Sequence, residues 1–93
     1  MEEREYIISL YEYYGGLLTE KQKNYFIDYY YDNLTMEEIA KNDTITKNAV
    51  SKQLIAIKDK LYYYENILKL NEKSNYIKNK LDKKTLDIII DYI

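Results

Sequence analysis

The chain has no proline, and its only two glycines, Gly15 and Gly16, are neighbours. Folds rich in β-strands need a turn every few residues, and most turns use glycine or proline for their backbone angles. Leucine, glutamate and lysine, which favour helices, are plentiful instead. We therefore predict an all-α fold.

The length and the hydrophobic content indicate one domain that spans residues 1–93. With 93 residues and 46% hydrophobic side chains, the chain can build one modest core. No stretch approaches the roughly 20 apolar residues that cross a bilayer, and no signal-peptide pattern begins the chain. We expect a cytoplasmic protein without membrane insertion.

The residue types exclude most catalytic chemistry. With no cysteine and no histidine, disulfides, zinc–thiolate sites and nucleophile–histidine pairs are excluded. Gly15-Gly16 lacks the following lysine and Ser/Thr of a phosphate loop. The carboxylate pairs Glu37-Glu38 and Asp28/Asp32 offer too few oxygen ligands for a cation. We predict a non-enzymatic protein with no catalytic residue, metal, cofactor or small-molecule substrate.

Apolar spacing and capping residues predict a helix-turn-helix. A flanking N-terminal helix carries its apolar residues at Ile7, Leu10, Tyr11 and Tyr14 and ends near the glycines. Capping boxes at 19–22 and 35–38 begin a second helix and a third of about two turns. A turn at 43–45 follows, and Thr46 caps a long fourth helix. Two short helices around a three-residue turn are typical of this motif, whose trihelical core we place at residues 18–61.

The fourth helix has the clearest apolar stripe in the chain. Its members are Val50, Leu54, Ile57, Leu61, Tyr64 and Leu68. Beyond Leu61 the stripe extends past a trihelical core, so the C-terminal segment or a second subunit must cover it. We take Leu61, Tyr64 and Leu68 as the candidate partner or homodimer interface.

Residues 62–93 form a predicted C-terminal helical extension. The sequence turns polar after Asn71, and one more apolar face then predicts a last helix. The residues of this face are Leu86, Ile89, Ile90 and Ile93.

The second helix of a helix-turn-helix places its N-terminal residues against base edges in the major groove. If Val50 and Leu54 face the core, the side chains of Asn48, Ser51, Lys52 and Ile55 face outward, with Lys47 at the tip. Asparagine can pair with adenine, and lysine can bind guanine or a phosphate. The candidate nucleic-acid-binding residues are Lys47, Asn48, Ser51, Lys52 and Lys58. So few lysines predict weak binding by a monomer, and a homodimer would double the contacts.

Charge and tyrosine content leave the kind of partner open. Residues 1–46 contain 4 basic and 10 acidic side chains, whereas residues 47–93 contain 10 basic and 6 acidic ones. A basic second half suits an anionic partner, although lysines on a solvated helix face are the more common explanation of such a bias. The 13 tyrosines suit the boundary of a core, and stacking on RNA bases is the alternative.

Two stretches resemble known families. The residues Glu38-Ile39-Ala40, Ile45-Thr46 and Ala49-Val50 resemble region 4 of sigma factors. The segment Leu10–Gln22 is similar to the YlxM-like family of small bacterial proteins, whose members carry Phe-Tyr-x-x-Leu-Leu-Thr-x-Lys-Gln there. The resemblance extends to about Leu70. It implies a helix-turn-helix protein that acts in, or regulates, the signal recognition particle pathway, an idea based on gene position, with components of that particle as partners.

The chain departs from the family pattern at the turn of the motif. Asp43-Thr44 replaces the usual apolar residue and glycine. Threonine tolerates a left-handed backbone badly, so we expect a reshaped turn.

Three hypotheses on function stay open at this point. The first is a regulator of the signal recognition particle pathway that contacts DNA or RNA. The second is a transcription regulator that binds a specific DNA sequence. The third is a protein–protein adaptor that uses the helical stripe and leaves the recognition helix idle.

Overall fold

The computed structural model describes residues 2–80, and within them it contains five α-helices and no strand. The helices are α1 (Glu3–Tyr14), α2 (Glu20–Phe26), α3 (Met36–Asp43), α4 (Lys47–Leu68) and α5 (Leu70–Lys80). The predicted all-α helix-turn-helix fold is confirmed. The last predicted apolar face, from Leu86 to Ile93, lies outside the described residues. Across residues 2–80, no helix combines the length and the apolarity that a membrane span requires.

The first helix packs through the predicted stripe, with Ile7, Leu10 and Tyr14 buried. The half-buried ring of Tyr11 stacks on Phe26, with ring centroids 4.1 Å apart. The chain then makes a 3₁₀ turn over Gly15–Leu17. A side chain at Gly15 would meet the Tyr11 ring at 2.9 Å, so glycine is what lets this aromatic pair form.

The second helix begins as predicted, and its last part takes a form that the pattern did not indicate. Both hydrogen bonds of the capping box between Thr19 and Gln22 are present. After Phe26 the helix widens into a π-helix over Ile27–Tyr31. Such segments are rare, and no spacing of apolar residues announces them.

Arg4 closes the end of the π-helix. Its guanidinium donates hydrogen bonds to the carbonyls of Tyr29 and Tyr30 at 3.2 and 2.8 Å, and to Asn33 Oδ1 at 2.6 Å. These carbonyls have no later helical turn to accept from, so a cation at this end is favourable. Arg4 thereby ties the start of α1 to the segment that leads into α3.

The turn of the motif keeps a left-handed residue, although that residue is a threonine. Thr44 has φ 57° and ψ 44°, and it ends α3. The expectation of a reshaped turn was wrong, because the backbone instead accepts a strain of about 1–2 kcal/mol for a side chain in this region. The Thr46 side chain then accepts a hydrogen bond from the Ala49 N–H at 3.1 Å and caps α4.

The long helix α4 is the centre of the fold. It packs against α1, α2 and α3, and its buried residues are Val50, Leu54, Ile57 and Leu61. The predicted stripe is therefore confirmed as far as Leu61.

From that residue on, helices of the same chain cover part of the stripe, which corrects the predicted interface at Leu61. Leu61 is fully buried, so no partner can reach it. Tyr64 is half-buried, with its ring 6.0 Å from the ring of Tyr14 in α1. Of the three predicted interface residues, Leu68 alone is exposed.

The junction between α4 and α5 is built on a buried carboxylate. Glu65 is only 8% exposed. Its Oε1 accepts hydrogen bonds from the Tyr14 hydroxyl at 2.6 Å and from the Asn71 N–H at 3.1 Å, and its Oε2 accepts one from the Glu72 N–H at 3.2 Å. The Tyr14 oxygen in turn accepts from the Leu70 N–H at 3.0 Å.

This network satisfies the first N–H groups of α5, which a helix start leaves without helical partners. Burial and the hydrogen bond with Glu65 raise the pKa of Tyr14 to about 12. The chain reverses at Lys69, which is left-handed with φ 54°, and α5 then packs on α1. This helix lies within the predicted helical extension at 62–93, but the polar composition after Asn71 did not indicate where it begins.

We predict that Glu65→Ala lowers the free energy of unfolding by about 3 kcal/mol, because buried donors of Tyr14 and α5 lose their acceptor. Urea titration followed by circular dichroism measures this loss, and hydrogen exchange should show that the α5 amides lose protection first. Glu72→Ala, an exposed neighbour, serves as the control and should cost less than about 0.5 kcal/mol. Equal stability of the two variants would contradict the role given to Glu65.

Candidate nucleic-acid interface

The first turns of α4 present one outward side, which we call the recognition face and define as Asn48, Ser51, Lys52 and Ile55. These positions follow a helical period, so their side chains share one side of the helix. Asn48, Lys52 and Ile55 are exposed, and Ser51 is half-buried. The cap at Thr46 and the packing on three helices hold this face in place before any ligand binds.

The chemistry of the recognition face matches the edges of bases. The Asn48 amide and the Ser51 hydroxyl can each donate and accept hydrogen bonds, whereas the Lys52 ammonium can only donate them. Base pairs present donors, acceptors and one methyl group in the major groove. The face therefore has a complementary group for each of these features.

Lys47 lies at the tip of α4, but it is paired with an acid. Its ammonium is 2.9 Å from the Glu37 carboxylate of α3. The hydrogen bond between them lowers the pKa of Glu37 and raises that of Lys47. The pair joins the starts of the two motif helices, and it leaves Lys47 with less net charge to offer to a phosphate.

Lys58 is also paired, and it lies toward α1 rather than on the recognition face. Its ammonium makes an ion pair with the Glu3 carboxylate of α1, and this hydrogen bond raises the pKa of Lys58. The structure therefore groups Asn48, Ser51 and Lys52 and separates Lys58 from them.

The charge of this surface is mixed. Of the three predicted lysines, Lys52 is the one that forms no ion pair with a described residue. Asp59 is exposed further along the same side of α4 and would repel a phosphate. If nucleic acid binds at this surface, as the sequence predicts, binding would depend more on contacts with bases than on phosphate charge.

Two hollows flank the motif without suggesting a catalytic site. One, of about 370 Å³, lies beside the recognition helix and is lined by Arg4, Asn33, Glu37 and Lys47, among others. The other, of about 590 Å³, includes Asp28, and burial raises the pKa of that residue. Among the described residues, no group of three or more acidic side chains is placed to hold a metal ion.

A sequence profile described as "Putative helix-turn-helix protein, YlxM / p13 like" matches residues 1–91. The chain belongs to this family. The resemblance drawn from its motifs is thereby confirmed, and the helix-turn-helix at α3 and α4 is the feature that the family description names.

Curated relatives of this YlxM/p13-like protein agree with the assignment. A UPF0122 protein of Clostridium acetobutylicum is 44% identical over 86 residues, which cover 92% of this chain and 72% of the relative. One from Ureaplasma parvum serovar 3 is 44% identical over 71 residues, which cover 76% and 72%. One from Malacoplasma penetrans is 34% identical over 86 residues, which cover 88% and 80%. No solved structure matches the chain.

The acids that hold two of the candidate lysines were not predicted from the sequence. Glu37 lies within the capping box at the start of α3, which gives no signal of its pairing with Lys47. Glu3 had no signal either, since it is 55 positions from Lys58 and only the packing of α1 on α4 brings the two together. Both acids belong to the description of the interface.

We predict that Glu37→Gln tightens binding of the YlxM/p13-like protein to mixed-sequence DNA, because Lys47 becomes available to a phosphate. The plot of log K against log salt concentration should become steeper by about 0.9, the effect of one added phosphate contact. Fluorescence anisotropy at several salt concentrations measures both quantities. Glu20→Gln changes the net charge equally but frees Lys23 on α2, and it should leave the slope unchanged. An unchanged slope for Glu37→Gln would contradict this assignment.

Proposed function

We propose that this YlxM/p13-like protein is a non-enzymatic regulator that binds nucleic acid through its recognition face, and that it regulates the signal recognition particle pathway. The observation that carries the proposal is the exposure of Asn48 and Lys52 on the capped helix that follows the turn of the motif. Membership of a helix-turn-helix family supports the first part. The likeness to the YlxM-like family supports the second.

The strength of binding follows from the charges. Lys52 is the one lysine of the recognition face, and it forms no ion pair with another residue of the described range 2–80. A single such cation predicts weak and weakly salt-dependent binding to any duplex. Useful affinity must then come from base contacts, from a second copy or from a partner protein on the same nucleic acid. A regulator that joins a larger assembly fits this profile.

A transcription regulator would use the same face on a different target. It differs from the proposed regulator in needing one DNA sequence and no component of the particle. Because the pathway regulator and the transcription regulator would share the fold and the recognition face, only the identity of the molecules that the protein binds distinguishes them.

A pull-down from bacterial lysate, with and without nuclease, tests the proposal. The baits are the full chain, Lys52→Glu, and Lys80→Glu as a control of equal charge on α5. We predict that the full chain and Lys80→Glu retain nucleic acid and components of the signal recognition particle, and that Lys52→Glu loses the nucleic acid. Equal retention by Lys52→Glu would exclude the recognition face. Recovery of nothing but DNA fragments with a shared sequence would replace the pathway with transcription regulation.

One observation favours the adaptor as a second candidate. Helix α5 buries the polar residues Asn71 and Ser74, and Ser74 Oγ has no hydrogen-bond partner among the described residues. The apolar residues Leu70, Tyr76 and Ile77 of the same helix are exposed. A helix with its apolar side outward suits a surface that another protein covers.

In the adaptor hypothesis, the contact with a second copy lies on a different side of α4 from the one predicted from the sequence. Leu61 and Tyr64 are covered by the chain itself, whereas Tyr63 and Ile67 are 55% and 59% exposed. These two residues are one helical turn apart, so they share a side of the helix. We therefore propose Tyr63 and Ile67 in place of Leu61 and Tyr64 as the contact with a second copy.

If this side joins two copies, the full chain should sediment as a homodimer and Ile67→Asp as a monomer of unchanged helicity. A charge in place of an apolar contact leaves an unpaired charge in the interface, which is strongly unfavourable. Ile55→Asp is the matched control, since Ile55 is 56% exposed on the same helix, and it should remain dimeric. A monomeric full chain at high concentration would contradict the homodimer.

A further inference from the structure

Ile55 is an isolated apolar side chain in a polar surrounding. It is 56% exposed and lies on the recognition face with Asn48 and Lys52. Ser51 precedes it by one turn and Asp59 follows it by one turn. The next exposed large apolar side chain of α4 is Tyr63, two turns further on.

This isolation argues against a protein or a membrane as the ligand of the recognition face. Protein interfaces are organised around a buried cluster of several large side chains. A helix that lies on a membrane needs an apolar side along its length. A single isoleucine between an amide, a hydroxyl and an ammonium satisfies neither requirement.

The same composition matches the major groove of DNA. Most groups on the base edges there are hydrogen-bond donors or acceptors, and the one apolar group is the 5-methyl of thymine. Recognition helices read bases from positions i, i+3, i+4 and i+7. Asn48, Ser51, Lys52 and Ile55 occupy these four positions, and Ile55 is the one apolar member.

We infer that Ile55 contacts the 5-methyl group of a thymine, and that the ligand of the recognition face is duplex DNA with thymine at that position. The inference rests on the proposed nucleic-acid binding, and it favours DNA over RNA as the nucleic acid that is bound. Double-stranded RNA has a deep, narrow major groove that side chains cannot read, and its uracil lacks the methyl group.

The spacing on the helix also predicts part of the site. Ile55 follows Asn48 by seven positions, which is about 10 Å along the helix axis. Base pairs follow one another at about 3.4 Å, so the two side chains lie about three base pairs apart when the helix follows the groove. Because asparagine pairs with adenine, the site should contain an adenine and a thymine at about that separation.

The test begins with selection of bound duplexes from a random DNA library by the full chain. In a selected duplex, each thymine is then replaced singly by deoxyuridine, which preserves base pairing and removes only the methyl group. One replacement for each bound copy of the chain should weaken binding about fourfold, the effect of burying one methyl-sized group. The other replacements should leave the affinity unchanged.

Variants of Ile55 test whether this side chain contacts the thymine whose replacement weakens binding. Ile55→Ala should bind the thymine and deoxyuridine duplexes equally, and Ile55→Val should still distinguish them. Both substitutions lie on an exposed site, and circular dichroism confirms that each variant is folded. If Ile55→Ala still distinguishes the two duplexes, the contact belongs to another residue and the inference is overturned.

The remaining outcomes separate this inference from the proposed function. Equal binding of every deoxyuridine duplex by the full chain overturns the thymine contact and leaves nucleic-acid binding intact. If selection enriches no duplex and the chain binds RNA in a way that Lys52→Glu abolishes, the inference that the ligand is DNA is overturned. The proposed nucleic-acid binding then stands. Absence of binding to either nucleic acid overturns both.

Discussion

The hydrogen bond of 2.6 Å between the Tyr14 hydroxyl and the Glu65 carboxylate joins three helices at one buried point. The same carboxylate accepts N–H groups from the first turn of α5, so it determines where that helix begins. A carboxylate that accepts several hydrogen bonds from donors around it is stable in a buried site, whereas one without them is not. Because α1 and α5 meet at Glu65, the chain itself covers the C-terminal half of the α4 stripe.

The packing of α1 and α5 on α4 determines which surfaces of α4 remain exposed to a partner. Leu61 belongs to the core and is closed to a partner, and Tyr64 is half-buried beside Tyr14. The exposed sides of α4 are the recognition face near its start and the side with Tyr63 and Ile67 near its end. The first is polar and held by packing on three helices, which suits base contacts. The second is apolar, which suits a protein.

Local patterns were sufficient to predict much of the fold. The capping boxes at Thr19 and Thr35 and the stripe of α4 depend on residues within one or two turns, so the sequence shows them directly. The π-helix after Phe26 and the clamp of Arg4 on it depend on contacts between distant parts of the chain. No spacing in the sequence reports such contacts.

The candidate site also has features that the sequence predicted and features that it could not predict. The outward direction of Asn48 and Lys52 followed from the helical period, and the structure exposes both. The electrostatics could not be predicted, because the partners of Lys47 and Lys58 come from other helices. The start of helix α5 was missed because it depends on Glu65 and Tyr14 rather than on the sequence of the helix itself.

We propose that the recognition face, rather than the exposed apolar residues near the end of α4, contacts nucleic acid. Nuclear magnetic resonance of the isotope-labelled chain, titrated with a short mixed-sequence DNA duplex at low salt, tests it residue by residue. We predict shift changes at Asn48, Ser51, Lys52 and Ile55, with Tyr63, Ile67 and α5 unchanged. Shift changes centred on Tyr63 and Ile67, or none at all, would contradict it.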